Sequence, residues 1–382
     1  MPVKVIIAGG GTGGHLFPGL ALAEEFRRRD AGTEVVFVGT EHGIEARIVP
    51  REGYPLQFLR AEGLVGGSLL KKARSSVKLM LAMFDAKRIL REVRPDIVIG
   101  VGGYASGAIV LMAHMKSLPT LVHEQNSVPG LTNKILGKFV RAVCVTYQES
   151  ISSFPMGKAY LTGNPIRPRI LRGEREAAFR LFSLDEKLFT VFVFGGSSGA
   201  RSINRTMVDA LNHLADLRDK IQFLHQTGDR DYENIREAYR KAGARGTVAP
   251  FIYQMPEAYA AADVVISRAG ATTLAEITAI GKPAILIPYP YAAGRHQEFN
   301  ALKLREMGAA LMLMENELTG EALARQIRDL YDNESLRDEM QKTSRGLGRP
   351  DACSRIVDIA LSLVKERRNG RKAAREAKGS RV

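Results

Sequence analysis

Apolar residues along this chain fall into short unbroken runs rather than into strict alternation. The runs are "KVIIAG", "EVVFVG", "DIVIGV", "TLVHEQ" and "AVCVT" in the first half, then "TVFVFG", "QFLHQT", "DVVISR" and "AILIPY" in the second. Val and Ile dominate them, and stretches with helical spacing of apolar residues separate them. Continuous β-branched runs between amphipathic helices predict parallel strands covered on both faces, so both halves read as α/β.

The halves also echo each other. "KVIIAGGGTGGHLFPGLALAEEF" and "TVFVFGGSSGARSINRTMVDAL" are each strand, glycine-rich turn, helix. "PDIVIGVGGYASGAIVLMAHMKSLPTLVHE" and "ADVVISRAGATTLAEITAIGKPAILIPYP" repeat that order and then open a further strand after Pro. The pattern predicts two Rossmann-like domains in tandem, with parallel sheets facing across a cleft. A first domain over 1–163 and a second over 164–348 are expected, joined near "LTGNPIRPRI", where Gly163, Pro165 and Pro168 interrupt regular structure. A helix over 349–366 is expected to pack back on the first domain, and a basic tail over 367–382 to be disordered.

Composition narrows the class. At 382 residues the chain is long enough for two ordinary domains, and 45% hydrophobic with 25% charged residues is ordinary for a globular protein. Cys144 and Cys353 lie far apart in apolar contexts, without metal-ligand spacing, which fits a reduced compartment. No apolar stretch approaches the roughly 20 residues of a membrane span, and the glycines break the first run too early for a signal peptide. The net charge of +14 implies an anionic partner. Residues 69–94 and 365–382 each carry eight basic against two acidic residues, and supply most of that excess.

Candidate chemistry sits in the turns. Gly9, Gly11 and Gly14 match G-x-G-x-x-G between strand and helix, with Glu41 placed like a ribose-binding acid. The match is weak in a run so rich in glycine, and no Lys-Ser or Lys-Thr follows to make a P-loop. Helix N-termini with bare N–H groups suited to phosphate remain. "GGSSGARSIN" offers the same device with Ser197 and Ser198, and "RAGATTLAE" puts Glu276 one turn beyond Thr272. Two such sites suit a reaction between two phosphate-bearing substrates, whereas an NAD-dependent oxidoreductase would leave the second unused. A nucleic-acid-binding protein accounts for the charge alone, since no basic face interleaved with aromatics is present.

Taken together and in order, "GGGTGGHLFPGLALA", "GGYASG", "HEQNSVPGLTNK", "GNPIR", "GGSSGARSIN", "RAGATTLAE" and "RHQEFNA" resemble the MurG family of peripheral glycosyltransferases, over about Val3 to Val364. The resemblance implies the GT-B fold and an inverting transfer of N-acetylglucosamine from its UDP donor. The acceptor would be the 4-hydroxyl of the muramoyl sugar of undecaprenyl-diphosphate-muramoylpentapeptide. It further implies a place on the cytoplasmic face of the bacterial cell membrane, other cell-wall synthesis proteins as partners, and no cofactor, metal or nucleic acid. A related transferase acting on diacylglycerol or another lipid is the nearest alternative.

Transfer needs a base for the hydroxyl and fixed dipoles for the departing diphosphate. By resemblance His15 is the base or aligns the acceptor, its imidazole titrating near about 6.5 when free. Glu124 is the competing base, unless it pairs with His123 or Lys134. Thr12, Gly13 and Gly14 would receive the acceptor's diphosphate, and Tyr104 and Asn126 match acceptor-side and donor-sugar positions. In the second half Ser197 would hold the UDP phosphates with Arg167 adding a bidentate charge, and Asn204 would support them. Ile252 would lie against uracil, while Ala271, Thr272, Thr273, Leu274 and Ala275 would form the helix start beneath the nucleotide. Glu276 would accept from the ribose hydroxyls and Gln297 would read the sugar. The sequence departs from the family in "GGSSGA", where Ser-Gln is commoner, and in His296, where a second Gln is usual. "GDRD" at 228–231 imitates a D-x-D metal motif, but opens a helical stretch and reads better as an N-cap Asp.

If helical, residues 69–94 carry two apolar stripes. Leu79, Met83, Ala86, Leu90 and Val93 would pack on a sheet. Leu70, Ala73, Val77, Met80 and Phe84, flanked by Lys71, Lys72, Arg74 and Lys78, would suit an anionic membrane surface.

Overall fold

The computed structural model describes residues 2–60 and 69–379, without the side chains of 69–77, 79, 293, 371 and 374–379. It divides into two compact units, Met1–Arg167 with Asp351–Val382, and Pro168–Pro350. The first division falls inside "LTGNPIRPRI".

The first unit is a parallel sheet of β1 (Lys4–Ala8), β2 (Glu34–Gly39), β3 (Leu56–Phe58), β4 (Ile97–Gly100), β5 (Thr120–Glu124), β6 (Ala142–Val145) and β7 (Ala159–Leu161). The order is β3-β2-β1-β4-β5-β6-β7. Its helices are α1 (Gly13–Arg29), α2 (Glu45–Arg51), α3 (Leu69–Val93), α4 (Tyr104–Met115) and α5 (Leu131–Gly137). Side chains alternate across the pleat, and both faces are covered. From β1, Val5 and Ile7 join one core with Leu20 and Phe26 of α1, whereas Ile6 and Ala8 join another with Ala86 and Ile89 of α3 and Ile109 of α4. Each such Ile or Val, fully withdrawn from water, contributes about 1.5–3 kcal/mol against the entropy of ordering the chain. This is why these strands show as unbroken apolar runs.

The second unit repeats the plan with β8 (Phe189–Phe194), β9 (Ile221–Gln226), β10 (Gly246–Ala249), β11 (Val264–Ser267), β12 (Ala284–Leu286) and β13 (Leu311–Met312), in the order β10-β9-β8-β11-β12-β13. Its helices are α6 (Arg175–Phe182), α7 (Arg201–His213), α8 (Tyr232–Lys241), α9 (Met255–Ala261), α10 (Ala271–Ile280), α11 (His296–Glu306), α12 (Gly320–Asp332) and α13 (Glu334–Leu347). Val191 and Val193 of β8 face one core and Phe192 and Phe194 the other. The last helix, α14 (Ala352–Gly379), belongs to the first unit, where Ile356, Val357, Ala360 and Val364 enter the core beside α1. Arg29 of α1 clamps it, donating to Ser354 Oγ at 2.6 Å and pairing with Asp358. Helix continues to Gly379, through the segment expected as a tail from 367.

All nine strands expected from the apolar runs are present. The four not expected, β3, β7, β10 and β13, lie at sheet edges and span only two to four residues. An edge strand leaves one face partly wet, so it needs no apolar run.

Candidate functional site

In each sheet the strand order reverses once, between β1 and β4 in the first unit and between β8 and β11 in the second. Loops leaving the carboxyl ends of those strands diverge there, and such switch points are where doubly wound sheets take ligands. The glycine-rich turns leave from these strand ends.

In the first unit, Thr12 is the N-cap residue of α1 without a side-chain cap, and Gly13 and Gly14 are its first two helical residues. Thr12 and Gly14 are exposed and Gly13 half-buried. His15 lies within the first helical turn instead of closing the loop, its N–H donating to Thr12 O at 3.2 Å. The half-buried imidazole packs on the β4–α4 loop, where a Cβ at Gly102 would fall 2.6 Å from Nδ1. Gln125 steadies that loop by donating from Nε2 to Val101 O at 2.7 Å. Tyr104 opens α4 and is exposed.

Glu124, at the end of β5, is buried and pairs with neither His123 nor Lys134. Its carboxylate accepts from Asn126 N and Gly130 N, both at 3.0 Å, and from Asn133 Nδ2 at 2.9 Å, with Asn126 Nδ2 at 3.4 Å. It therefore ties the β5–α5 loop, and fixes the half-buried Asn126 within it. His123 is fully buried with Nε2 donating to Gly163 O at 3.1 Å, and burial pushes its pKa down to about 4, so it stays neutral.

Arg167, expected to add a bidentate charge to the UDP phosphates, belongs to the first unit. It is buried there, 3.4 Å from Glu52 Oε1 and over the Phe17 ring at 5.0 Å. Arginine lends itself to this because its flat guanidinium stacks and pairs at once.

In the second unit, Ser197 is half-buried and Ser198 exposed in the turn between β8 and α7. Gln226 Nε2 donates to Gly196 O at 3.0 Å, and the turn lies so close to the β9–α8 loop that a Cβ at Gly199 would meet Thr227 O at 2.0 Å. Asn204 is fully buried and fastens the two loops, donating from Nδ2 to Thr227 O and to Asp231 Oδ2, both at 2.9 Å. His225 Nε2 donates to Asn204 Oδ1 at 3.1 Å, and Tyr239 donates its hydroxyl to His225 Nδ1 at 2.9 Å. Burial lowers the His225 pKa to about 3. Asp231 does occupy the N-cap position of α8, but its carboxylate serves Asn204 and makes no side-chain cap.

Ala271, Thr272 and Leu274 of α10 are buried and Thr273 and Ala275 half-buried, with the Leu274 side chain committed to the core. Glu276 is buried, and Tyr259 donates its hydroxyl to Oε2 at 2.8 Å. Ile252 is also core, its N–H donating to Gln226 Oε1 at 2.8 Å, so its side chain is not a free platform for a base. Gln297 is half-buried, its Oε1 accepting from Tyr289 N at 3.0 Å. Arg268 was quoted in the motif but given no role. It donates to Ile287 O (3.2 Å), Pro288 O (3.1 Å), Ser202 Oγ (2.8 Å) and Glu315 (2.6 Å), joining three loops of this end of the sheet. Tyr259 and Gln226 carried no sequence signal, because their roles exist only through partners distant in the chain.

On α3, Ala82, Ala86, Ile89 and Leu90 are buried, whereas Met80 and Phe84 stand 60% and 61% exposed. The side chains of Leu70, Lys71, Lys72 and Val77 lie outside the described residues. Among the described residues no helix is long and apolar enough to cross a membrane.

Two doubly wound parallel-sheet units with glycine turns at their switch points have the GT-B fold, and the family matches make the chain a glycosyltransferase. Residues 5–145 match the glycosyltransferase family 28 N-terminal domain and residues 190–356 its C-terminal domain. The chain is 50% identical over 366 residues to the UDP-N-acetylglucosamine--N-acetylmuramyl-(pentapeptide) pyrophosphoryl-undecaprenol N-acetylglucosamine transferase of Thermodesulfovibrio yellowstonii, covering 96% of this chain and all of that one. It is 48% identical to the transferase of the same name from Myxococcus xanthus, over 95% and 93% of the two chains. The crystal structure of Acinetobacter baumannii MurG superposes with a TM-score of 0.72 at 30% identity, covering 94% of this chain and all of that one. A putative UDP-N-acetylglucosamine 2-epimerase of Listeria monocytogenes, at 14% identity and a TM-score of 0.65, shares the fold. The chain belongs to the MurG family, within glycosyltransferase family 28.

Proposed function

We infer that this protein transfers N-acetylglucosamine from UDP-N-acetylglucosamine to the 4-hydroxyl of the muramoyl sugar of undecaprenyl-diphosphate-muramoylpentapeptide, with inversion. The observation that carries this reading is the 50% identity to a transferase of that specificity along that relative's whole length. In the transfer the acceptor oxygen bonds to the anomeric carbon as the bond to UDP breaks, and the hydroxyl proton passes to a base. His15 is that base. It stands at the start of α1 beside the exposed Thr12 and Gly14, whose backbone and helix dipole suit the acceptor's diphosphate. Glu124, already holding four N–H groups, positions Asn126 instead of taking the proton.

The second unit holds the donor. Ser197 and its turn face the diphosphate, and Asn204 keeps that turn in shape. Glu276, oriented by the Tyr259 hydroxyl, accepts from the ribose hydroxyls. Gln297, oriented by Tyr289 N, reads the sugar. Ile252 and Ala271 to Ala275 contribute shape and backbone beneath the nucleotide, and Arg167 braces the first unit. The exposed Met80 and Phe84, on the basic helix α3, seat the protein on the anionic cytoplasmic face of the membrane that carries the acceptor.

The test is transfer of radiolabelled N-acetylglucosamine by the purified chain to the lipid-linked acceptor. Product in the lipid fraction is expected. Transfer to diacylglycerol instead would replace this acceptor with another lipid.

A further inference from the structure

The first glycine-rich turn is already occupied by an anion of the protein's own chain. Glu45, the first residue of α2, is buried to 1% exposure. Its Oε2 accepts from Gly11 N at 2.8 Å, and its Oε1 accepts from Thr40 N and Thr40 Oγ1, both at 2.9 Å. Three glycines make room for it. A Cβ at Gly10 would lie 2.2 Å from the Glu45 carboxyl carbon, one at Gly43 2.1 Å from Oε2, and one at Gly39 2.5 Å from Cγ. The β1–α1 and β2–α2 loops thus close around one carboxylate, with three charge-assisted hydrogen bonds to it.

A turn of this kind in a Rossmann-like sheet otherwise offers its N–H groups to a nucleotide diphosphate. Here the Gly11 N–H is taken by Glu45, so a diphosphate seated on Gly11 would meet a like charge in a filled space, whereas the acceptor's diphosphate is read beyond that bond, at the start of α1. The same clamp fixes the strand-to-helix turn from which His15 follows four residues later, and Gly10 O in turn supports Gly103 at the head of α4, where a Cβ would lie 2.7 Å away.

We propose that Glu45 is a positioning and specificity-determining residue. Its carboxylate fills the anion cradle of the first turn, turning nucleotide away from the first unit while holding the start of α1, with His15, in place for the acceptor. The second clause rests on the transferase reading above, and the first does not.

The experiment uses the full chain with Glu45→Ala, Glu45→Gln and Thr40→Val. Titration with inorganic pyrophosphate in a calorimeter is expected to show one more binding event in Glu45→Ala than in wild type, with a millimolar Kd, and none added in Glu45→Gln, whose amide still fills the cradle. In the transfer assay Glu45→Gln is expected to lose 10- to 100-fold in kcat, with donor KM within twofold of wild type and a melting temperature lowered by only a few degrees. Thr40→Val, lacking one of three donors, should lose two- to fivefold in the same sense. Equal pyrophosphate stoichiometry in Glu45→Ala and wild type overturns the exclusion. Wild-type kcat in Glu45→Gln, or a donor KM that rises with the fall in kcat, overturns the positioning role. If wild type transfers no sugar at all, the transferase reading fails, and the pyrophosphate titration still decides the exclusion.

Discussion

The turns after β1 and β8 are one device in sequence and two in space. In the first, Glu45 from the neighbouring helix occupies the cradle at Gly11 N. In the second, no carboxylate among the described residues accepts from Gly195 to Ala200. The neighbouring loop supplies an amide instead, Gln226 Nε2 on Gly196 O, and Asn204 ties the loops from below. Glycines in a turn therefore do not by themselves make a nucleotide site. What the adjacent element places against them decides which of their N–H groups an outside anion can use.

The proposed division, proton transfer in one unit and donor recognition in the other, rests on this contrast and can be broken in several ways. The largest effect is expected from His15→Ala, with kcat reduced about 10²- to 10³-fold, the range of a general base, and UDP affinity within twofold by calorimetry. Normal turnover would remove His15 from the chemistry. Next, Glu276→Ala should raise donor KM about 10- to 100-fold, since a hydrogen bond to a charged group is worth about 1.5–3 kcal/mol, while kcat holds. A matching fall in kcat would blur the division. Replacing Met80 and Phe84 together by Ser should weaken sedimentation with anionic vesicles about tenfold, through lost apolar burial. Undiminished binding would move the membrane contact elsewhere.

A comparable effect is expected from acid. His123 and His225 fold with pKa values of about 4 and about 3, below the 6.5 of the free side chain. The unfolded chain therefore binds protons first as pH falls. The stability these neutral histidines secure is complete above pH 6.5, and is lost below it at up to about 1.4 kcal/mol per pH unit for each. Urea melts at pH 7 and pH 5 measure this, and identical midpoints would mean that an imidazolium is tolerated in both sites. The smallest effect is Tyr259→Phe, which should raise donor KM about three- to fivefold, near 1 kcal/mol. No change would show that Glu276 needs no partner.

Much of this could be read from the chain. Apolar runs marked every central strand, unbroken where both faces take only apolar side chains and interrupted in β5 and β9 by buried His, Gln and Glu. The glycine turns were legible because a strand, a glycine run and a helix start follow from local spacing. The contacts of Arg167 with Glu52 and Phe17 were not legible, because a lone arginine in a linker carries no sign of its partners. That Ile252 packs in the core was likewise not legible, since burial depends on what folds over a residue. Glu45, in "GTEHGIEARIVP", looked like any acid at a helix start.

The sequence alone determined two parallel α/β sheets, their paired glycine turns and a basic amphipathic segment, all properties of local periodicity and backbone freedom. Only the tertiary structure decided which turn is filled and which arginine is buried. Those outcomes depend on hydrogen bonds between residues 34 to 115 positions apart, Glu45 with Gly11 and Arg167 with Glu52, and a linear pattern has no means of stating them.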